Sequence, residues 1–275
     1  YDELQKLNDQ YDAFICGRDQ VWNPKSIKGD TTYFLSFVED KRKRISYAPS
    51  VGLASIPSEY REMFVDGVKQ INCLSVRETT AAKLIKDLTG KDAKVVVDPT
   101  LLVDRNEWEK IAGERIFAGE YILLYNLDYT PDVISFAKQL SQRVGLPVVI
   151  PIRTIRDYKD HFKGCILGPS EFLAAIRDAK YVITTSFHGM MMSVIFEKDF
   201  FVMDKKNGKN QLSSRIDDFL ELAGLKERKF KGDFSIVTEH VDYSIVRKKL
   251  KPLIEESKSY LSESLKGATI YEEND

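Results

Sequence analysis

Residues 181–196, YVITTSFHGMMMSVIF, restrict the fold of this chain more than any other stretch. Residues 181–185 are β-branched and mostly apolar, the signature of a buried strand. Ser186, Phe187, His188 and Gly189 make a sharp polar break. The apolar run 190–196 then has room for about two helical turns. A strand that ends in a small polar turn and opens a helix is where open α/β sheets place their ligands. The strand's carboxyl end faces a crevice, and the helix start points N–H groups and a partial positive charge into it. His188, one of three histidines in the chain, stands at that turn.

The rest of the chain repeats the alternation. Residues 11–17 read as a strand running into a glycine, 44–49 as another, and 73–76 as a third that ends at Arg77 and Glu78. Residues 94–97 form a fourth, closed by Asp98, Pro99 and Thr100. Between them, a helix begins at Ser58 with Tyr60, Phe64 and Val68 on one face. A second carries Ala81, Leu84, Ile85 and Leu88 at helical spacing, with Gly90 as its stop. A short helix spans 107–112. A second series starts with a strand at 121–125 and a helix capped by Thr130 with Pro131 at its first position. Then come a strand at 148–150, a helix from Gly168-Pro169-Ser170, the 181–196 unit, a strand at 200–203 and a helix near 213–223. A charged last helix spans about 243–261, with Ile245, Leu250, Leu253 and Ile254 to bury. Strands alternating with helices imply parallel sheet. The break at 117–120 separates the series. The expected architecture is α/β: two Rossmann-like, doubly wound domains, 1–117 and 118–240, facing across a cleft. The helix and tail 241–275 are expected to pack back on the first domain.

Composition narrows the function. Of 275 residues, 43% are hydrophobic and 30% charged, enough core for a soluble globular protein. A net charge of −1 argues against a nucleic-acid partner. Cys16, Cys73 and Cys165 are scattered beside apolar runs with no Cys-x-x-Cys, as expected of reduced core thiols in the cytoplasm rather than a disulfide frame or zinc site. No apolar run reaches 18 residues and no signal peptide is visible, so no integral membrane segment is expected. No carboxylate–histidine spacing suggests a metal. The run Lys41–Arg44 reads as a solvated turn. His161 and His240 have no chemical companions, and His161 reads as a surface residue.

The loop after the first strand gathers Arg18, Asp19, Gln20 and Trp22: a cation, an anion, an amide and an indole. Such a mixture suits a polar ligand, and an indole face suits a sugar or a base. The competing reading is that Trp22 plugs the loop into the core.

The segments DAFICGRDQVW, SYAPSVG, SVRE, VDPTLL with Trp108, GPSEFL and YVITTSFHG, followed by Arg215, occur in an order that resembles the polysaccharide pyruvyl transferases. The resemblance covers roughly residues 11–225. It implies a GT-B-like pair of domains and transfer of the enolpyruvyl carbons of phosphoenolpyruvate to a saccharide, as a pyruvate ketal in a bacterial exopolysaccharide, capsule or cell-wall polymer. It implies a cytoplasmic enzyme, at the inner face of the membrane or in peripheral contact with it. The donor is phosphoenolpyruvate, no cofactor is required, and the acceptor is a lipid- or nucleotide-linked saccharide. A donor with a phosphate and a carboxylate needs cations with planar donor geometry. Arg77 and Arg215 are the candidates, against duller readings as an ion pair with Glu78 and a solvated helix residue. Ser186 and the amides of Gly189 and Met190 are candidates to hold the phosphate, His188 to act as general acid/base, and Asp19, Gln20 and Trp22 to meet the acceptor. Arg77, His188 and Arg215 are expected to line one cleft.

Two departures stand out. Arg18 replaces the serine usual in the family's first motif, and nothing matches the strand and asparagine-glycine loop with which members usually begin. Two other function classes stay open: a nucleotide-sugar glycosyltransferase or epimerase on the same frame, and a saccharide-binding module without turnover.

Overall fold

The computed structural model describes residues 2–127, 130–153, 157, 162–204, 214–232, 234, 237 and 239–269. The chain divides into two compact units. The first comprises Tyr1–Leu102, Lys209–Leu222 and Lys248–Asp275; the second comprises Val103–Gly208 and Ala223–Arg247. The first crossing thus comes near residue 102 rather than 117, and the segment around Arg215 goes with the first unit instead of the second.

In chain order the helices are α1 (Asp2–Gln5), α2 (Pro24–Ile27), α3 (Arg61–Lys69), α4 (Thr79–Thr89), α5 (Arg105–Ile111), α6 (Pro131–Val144), α7 (Pro169–Arg177), α8 (Phe187–Ile195), α9 (Ser214–Ala223) and α10 (Tyr243–Thr269). The strands are β1 (Phe14–Cys16), β2 (Arg44–Ser46), β3 (Ser75–Val76), β4 (Lys94–Val95), β5 (Ile122–Tyr125), β6 (Val148–Pro151), β7 (Lys163–Cys165), β8 (Tyr181–Thr184) and β9 (Asp199–Val202). Among the described residues every strand pairing is parallel.

In the first unit, β1 pairs with β2 and β3 with β4. A single bridge, Ile45 to Cys73, joins the two pairs. Serine hydroxyls add to the backbone bonds at that join. Ser46 Oγ donates to the Ser75 carbonyl, and the Ser75 amide donates to Ser46 Oγ, both at 2.8 Å. Buried hydroxyls paired in this way cost little and keep the four strands in register. Gly17 permits the close approach beyond β1, because a Cβ there would stand 2.0 Å from the Tyr47 carbonyl oxygen. The core gathers Phe14, Trp22, Phe34, Phe64, Val68, Val76 and Ile85. Helix α10 covers a satellite cluster of Tyr47, Ala48 and Val96 with Tyr260 and Leu261. Tyr260 Oη donates to the Ser46 carbonyl at 3.0 Å, and the Val97 amide donates to Ser257 Oγ at 3.0 Å.

The second unit is a five-stranded sheet in the order β7-β6-β5-β8-β9. Numbered within the unit this is 3-2-1-4-5, so connections leave β5 and β8 in opposite directions and open a switch point between their carboxyl ends. Phe136, Leu140, Ile150, Ile183 and Phe201 belong to its core.

Three local expectations need correction. Arg44 is buried rather than solvated: its guanidinium donates to the Val38 carbonyl and to Gln70 Oε1. Ile245 is 52% exposed, because Val246 takes the inward position at the start of α10. Of the three cysteines, all free, only Cys16 is fully buried. His161 lies outside the described residues.

Candidate functional site

Four loops follow the carboxyl ends of β1 to β4, and each brings a polar side chain to the same edge of the first unit. Arg77 follows β3. Its Nη1 donates to Asp98 Oδ2 at 2.7 Å, and its Nη2 donates to Asp19 Oδ1 at 2.5 Å, with Glu78 Oε1 at 3.7 Å. Asp98 follows β4 and is fixed by the Thr100 amide at 3.0 Å and the Thr100 hydroxyl at 2.7 Å, both donating to Oδ1. Glu78 accepts from Ser50 Oγ, which follows β2. Asp19 follows β1, and Arg215 Nη1 donates to the same Oδ1 that Arg77 uses. Two guanidiniums therefore converge on one carboxylate oxygen.

Arg215 reaches this edge through α9. Asp218, one turn further along, accepts from both the amide and the hydroxyl of Thr80, at 3.0 and 2.9 Å. Residues three apart share a helix face, so one face of α9 supplies a guanidinium to the cluster and a carboxylate to the start of α4.

Burial sets the charges. Side-chain exposure is 4% for Arg77, 3% for Asp98 and 2% for Glu78, against 29% for Asp19. Burial pulls the Arg77 pKa down, but Glu78, Asp98 and Asp19 outweigh it and raise it, so the guanidinium stays charged. Burial pushes the Glu78 carboxyl above the ordinary range despite the opposing pull of Arg77, Ser50 and Arg215. Glu78 Oε2 has no hydrogen-bond partner among the described residues.

The loops themselves are held tightly. The Ser50 amide donates to the Arg18 carbonyl at 3.2 Å and the Trp22 amide to the Ser50 carbonyl at 3.1 Å. Gln20 and Ala48 both have left-handed backbones, at φ 51° and 50°. Non-glycine residues in that region are uncommon and concentrate at functional loops. Gln20 is half-buried and its Oε1 accepts from Asn23 Nδ2 at 2.9 Å. Arg18 is exposed.

Trp22 corrects the expectation of a sugar platform. It is fully buried, stacks on Phe34 at 5.2 Å between ring centroids, and donates Nε1–H to the Tyr33 carbonyl at 2.9 Å. The indole is core, and its face is covered by protein. Asp19 likewise has its carboxylate turned to guanidiniums.

In the second unit, β8 ends at Thr184 and α8 opens at Phe187, with Ser186 as its N-cap. Ser186 Oγ accepts from the Gly189 amide at 3.2 Å, and the Ser186 carbonyl accepts from the Met190 amide at 3.0 Å. Both amides expected to hold a phosphate are therefore engaged within the turn, a correction that follows from ordinary N-capping. Gly189 is required for another reason: a Cβ there would stand 2.5 Å from Thr184 Oγ1 and 2.9 Å from the Tyr125 ring. The loops flanking the switch point are stitched together. Thr184 Oγ1 donates to the Tyr125 carbonyl at 2.9 Å, and the Leu127 amide donates to Thr185 Oγ1 at 3.1 Å. His188 is half-buried in the first turn of α8, its ring meeting that of Phe187 edge-on at 5.4 Å. A pocket in the same unit is lined by Tyr125, Asn126, Arg153 and Asp157 over apolar residues.

Arg77, Arg215 and Asp19 thus meet in the first unit, and His188, Ser186 and Gly189 in the second. Sequence reasoning missed Asp98, Ser50 and Asp218. Asp98 carried a usable signal, since an acidic residue closing a strand beside an arginine-ending strand faces the same edge. No group of three or more His, Cys, Asp or Glu among the described residues could hold a metal ion.

The sequence model of the polysaccharide pyruvyl transferase family matches residues 1–207. The chain belongs to the polysaccharide pyruvyl transferase family. The matched span includes Asp19, Arg77, Asp98 and His188, while Arg215 lies beyond it. No curated protein matches the chain in sequence. Among solved structures, it is similar to a Listeria monocytogenes protein assigned as a UDP-N-acetylglucosamine 2-epimerase, with 11% identity over 94% of this chain and 70% of that one and a TM-score of 0.49. It is also similar to an Escherichia coli heptosyltransferase bound to ADP, with 9% identity, 92% and 77% coverage and a TM-score of 0.44. An E. coli ADP-heptose lipopolysaccharide heptosyltransferase II gives 10% identity, 94% and 82% coverage and a TM-score of 0.40.

Proposed function

We propose that this pyruvyl transferase takes its three-carbon unit from phosphoenolpyruvate and closes it as a ketal on two hydroxyls of a saccharide in a cell-surface polymer. The observation that supports this donor is the convergence of Arg77 and Arg215 on one anionic oxygen at the carboxyl edge of parallel strands. A carboxylate or phosphate recruited there would meet two planar, permanently charged donor sets.

The chemistry requires a proton at the methylene carbon of the enol while a saccharide hydroxyl adds to the neighbouring carbon and gives up its own proton. Phosphate then leaves with the enol oxygen, and the second hydroxyl closes on the same carbon, releasing the last proton. His188, in the first turn of α8, is assigned the acid/base role. Of the expected acceptor contacts on the β1 loop, Gln20 remains. The enzyme would work at the cytoplasmic face of the membrane on a lipid- or nucleotide-linked acceptor. No helix among the described residues is long and apolar enough to cross a membrane.

The test is release of inorganic phosphate from phosphoenolpyruvate in the presence of a panel of lipid- and nucleotide-linked oligosaccharides, beside a thermal-shift screen with nucleotide sugars. Acceptor-dependent phosphate release with a mass gain of one pyruvyl ketal is expected. Stabilisation by a nucleotide sugar, with no phosphate release from phosphoenolpyruvate, would replace this reading by glycosyl transfer.

A further inference from the structure

We propose that Asp19 is a built-in anion that the donor must displace. In the free protein its carboxylate takes the place between Arg77 and Arg215 that a carboxylate or phosphate of the substrate takes on binding, so Asp19 sets how strong an anion the pair accepts. This rests on the reading of the arginine pair as the donor site.

Three observations carry it. Arg77 and Arg215 donate to one and the same oxygen, Asp19 Oδ1, although they come from β3 and α9, 138 positions apart at their ends of the chain. Second, the three carboxylates around Arg77 are not equivalent. Asp98 is 3% exposed and pinned by two bonds from Thr100, and Glu78 is 2% exposed and bonded to Ser50. Asp19 is 29% exposed and sits on a loop. It is the member of the set that solvent and a ligand can reach. Third, the residue after it, Gln20, holds a left-handed backbone at φ 51°. That conformation costs a side-chain-bearing residue free energy, which is recovered if the loop moves.

Charge makes the two occupants exclusive. A substrate anion arriving at Arg77 and Arg215 with Asp19 in place would put like charges within a few ångströms of each other, an arrangement proteins avoid by neutralising or moving one of them. Glu78 cannot relieve this by leaving, since it is buried. With Asp19 withdrawn, the incoming anion restores the neutralisation that Asp19 supplied. Strongly anionic ligands, such as phosphate monoesters, are then favoured over monocarboxylates, because they return more Coulomb energy for the same displacement. The exposed Arg18 next in the chain offers the withdrawn carboxylate a neighbouring cation.

The experiment compares the wild-type chain, Asp19→Asn, Asp19→Glu and Arg215→Gln by calorimetric titration with phosphoenolpyruvate and with inorganic phosphate. Removing a competing anion should tighten both in Asp19→Asn by at least about fivefold, the low end of coupling between occupants that exclude each other. Asp19→Glu, which keeps the charge, should show no such gain. Weaker or unchanged binding by Asp19→Asn would overturn the displacement. Where Arg215→Gln weakens binding but Asp19→Asn does not tighten it, the arginine site stands and only the displacement falls. Unchanged binding by Arg215→Gln would overturn both. Hydrogen exchange on the wild-type protein needs no variant: saturating phosphoenolpyruvate should speed exchange of the 18–21 amides, and slowed or unchanged exchange there would refute the displacement.

Discussion

Trp22 and Glu78 illustrate how burial decides what a side chain can do. An indole in a strand-end loop is legible in sequence as a ring that must pack somewhere, but whether it packs on a ligand or on Phe34 depends on residues twelve positions on and on α3 behind them. Trp22→Ala should therefore cost about 3–5 kcal/mol, as for other large aromatic truncations in a core, and lower the melting temperature without a selective loss of saccharide affinity. Denaturant unfolding beside acceptor titration checks it. Glu78 has a folded-state pKa raised by burial. The proton is thus held more tightly in the folded chain, and that contribution is complete below the ordinary carboxylate pKa of about 4.3 and is lost as pH rises through the raised value. Glu78→Gln, permanently neutral and still able to meet Ser50, should gain stability relative to wild type as pH rises above the ordinary carboxylate pKa of about 4.3. Thermal unfolding at stepped pH measures it, and a flat difference would contradict the assignment. The sequence showed His188 opening a helix after a strand, which is where it stands in α8; its acid/base role is the proposed one. His188→Gln should lower turnover at least about a hundredfold while leaving phosphoenolpyruvate affinity near wild type. A variant that keeps a tenth of the rate, with an unchanged pH–rate profile, would remove it from the acid/base role.

At the scale of elements, periodicity located the helices well and their partners poorly. The face of α9 was readable from Ile216, Phe219 and Leu220, all buried. Its destination was not, because the groups that fix it, Arg215 to Asp19 and Asp218 to Thr80, join positions 196 and 138 residues apart. Local pattern carries no record of such a partner. The short strands β3 and β4 were legible as apolar runs, but the hydroxyl stitching at Ser46 and Ser75 was not. Asp218→Ala should test the docking of α9. It removes the carboxylate at the start of α4, worth about 1 kcal/mol as a cap, and it loosens the helix that carries Arg215. On a confirmed acceptor, the apparent constant for phosphoenolpyruvate should rise several-fold more than kcat falls, because the lost contact is already made in the ground state. Equal changes in both would mean that α9 placement matters only through stability.

For the whole molecule, alternation of strands and helices gave the α/β class and the parallel sheets, yet the division of the chain could not be read from it. Segment 209–222 and the body of α10 return to the first unit, so that unit is assembled from three separated stretches, whereas sequence reading treats neighbours in sequence as neighbours in space. This has a measurable consequence for ligand binding. Both arginines belong to the first unit, so on the proposed reading phosphoenolpyruvate bound through them would add its binding free energy to that unit's folded state, by RT ln(1 + [L]/Kd). At a hundredfold excess over Kd this is about 2.7 kcal/mol. Slowed hydrogen exchange should therefore appear together in β3 and the start of α4, in α9, and in the part of α10 that bonds Ser46 and Val97 through Tyr260 and Ser257. Strands β6 and β7 of the second unit should respond less. A chain ending at Arg247 lacks Tyr260 and Ser257 and uncovers Tyr47, Ala48 and Val96, so its first unit should unfold at lower denaturant and its phosphoenolpyruvate-dependent stabilisation should shrink. Retention of the full stabilisation by the shortened chain would mean that α10 is a passenger on the strands rather than part of the unit that binds the donor.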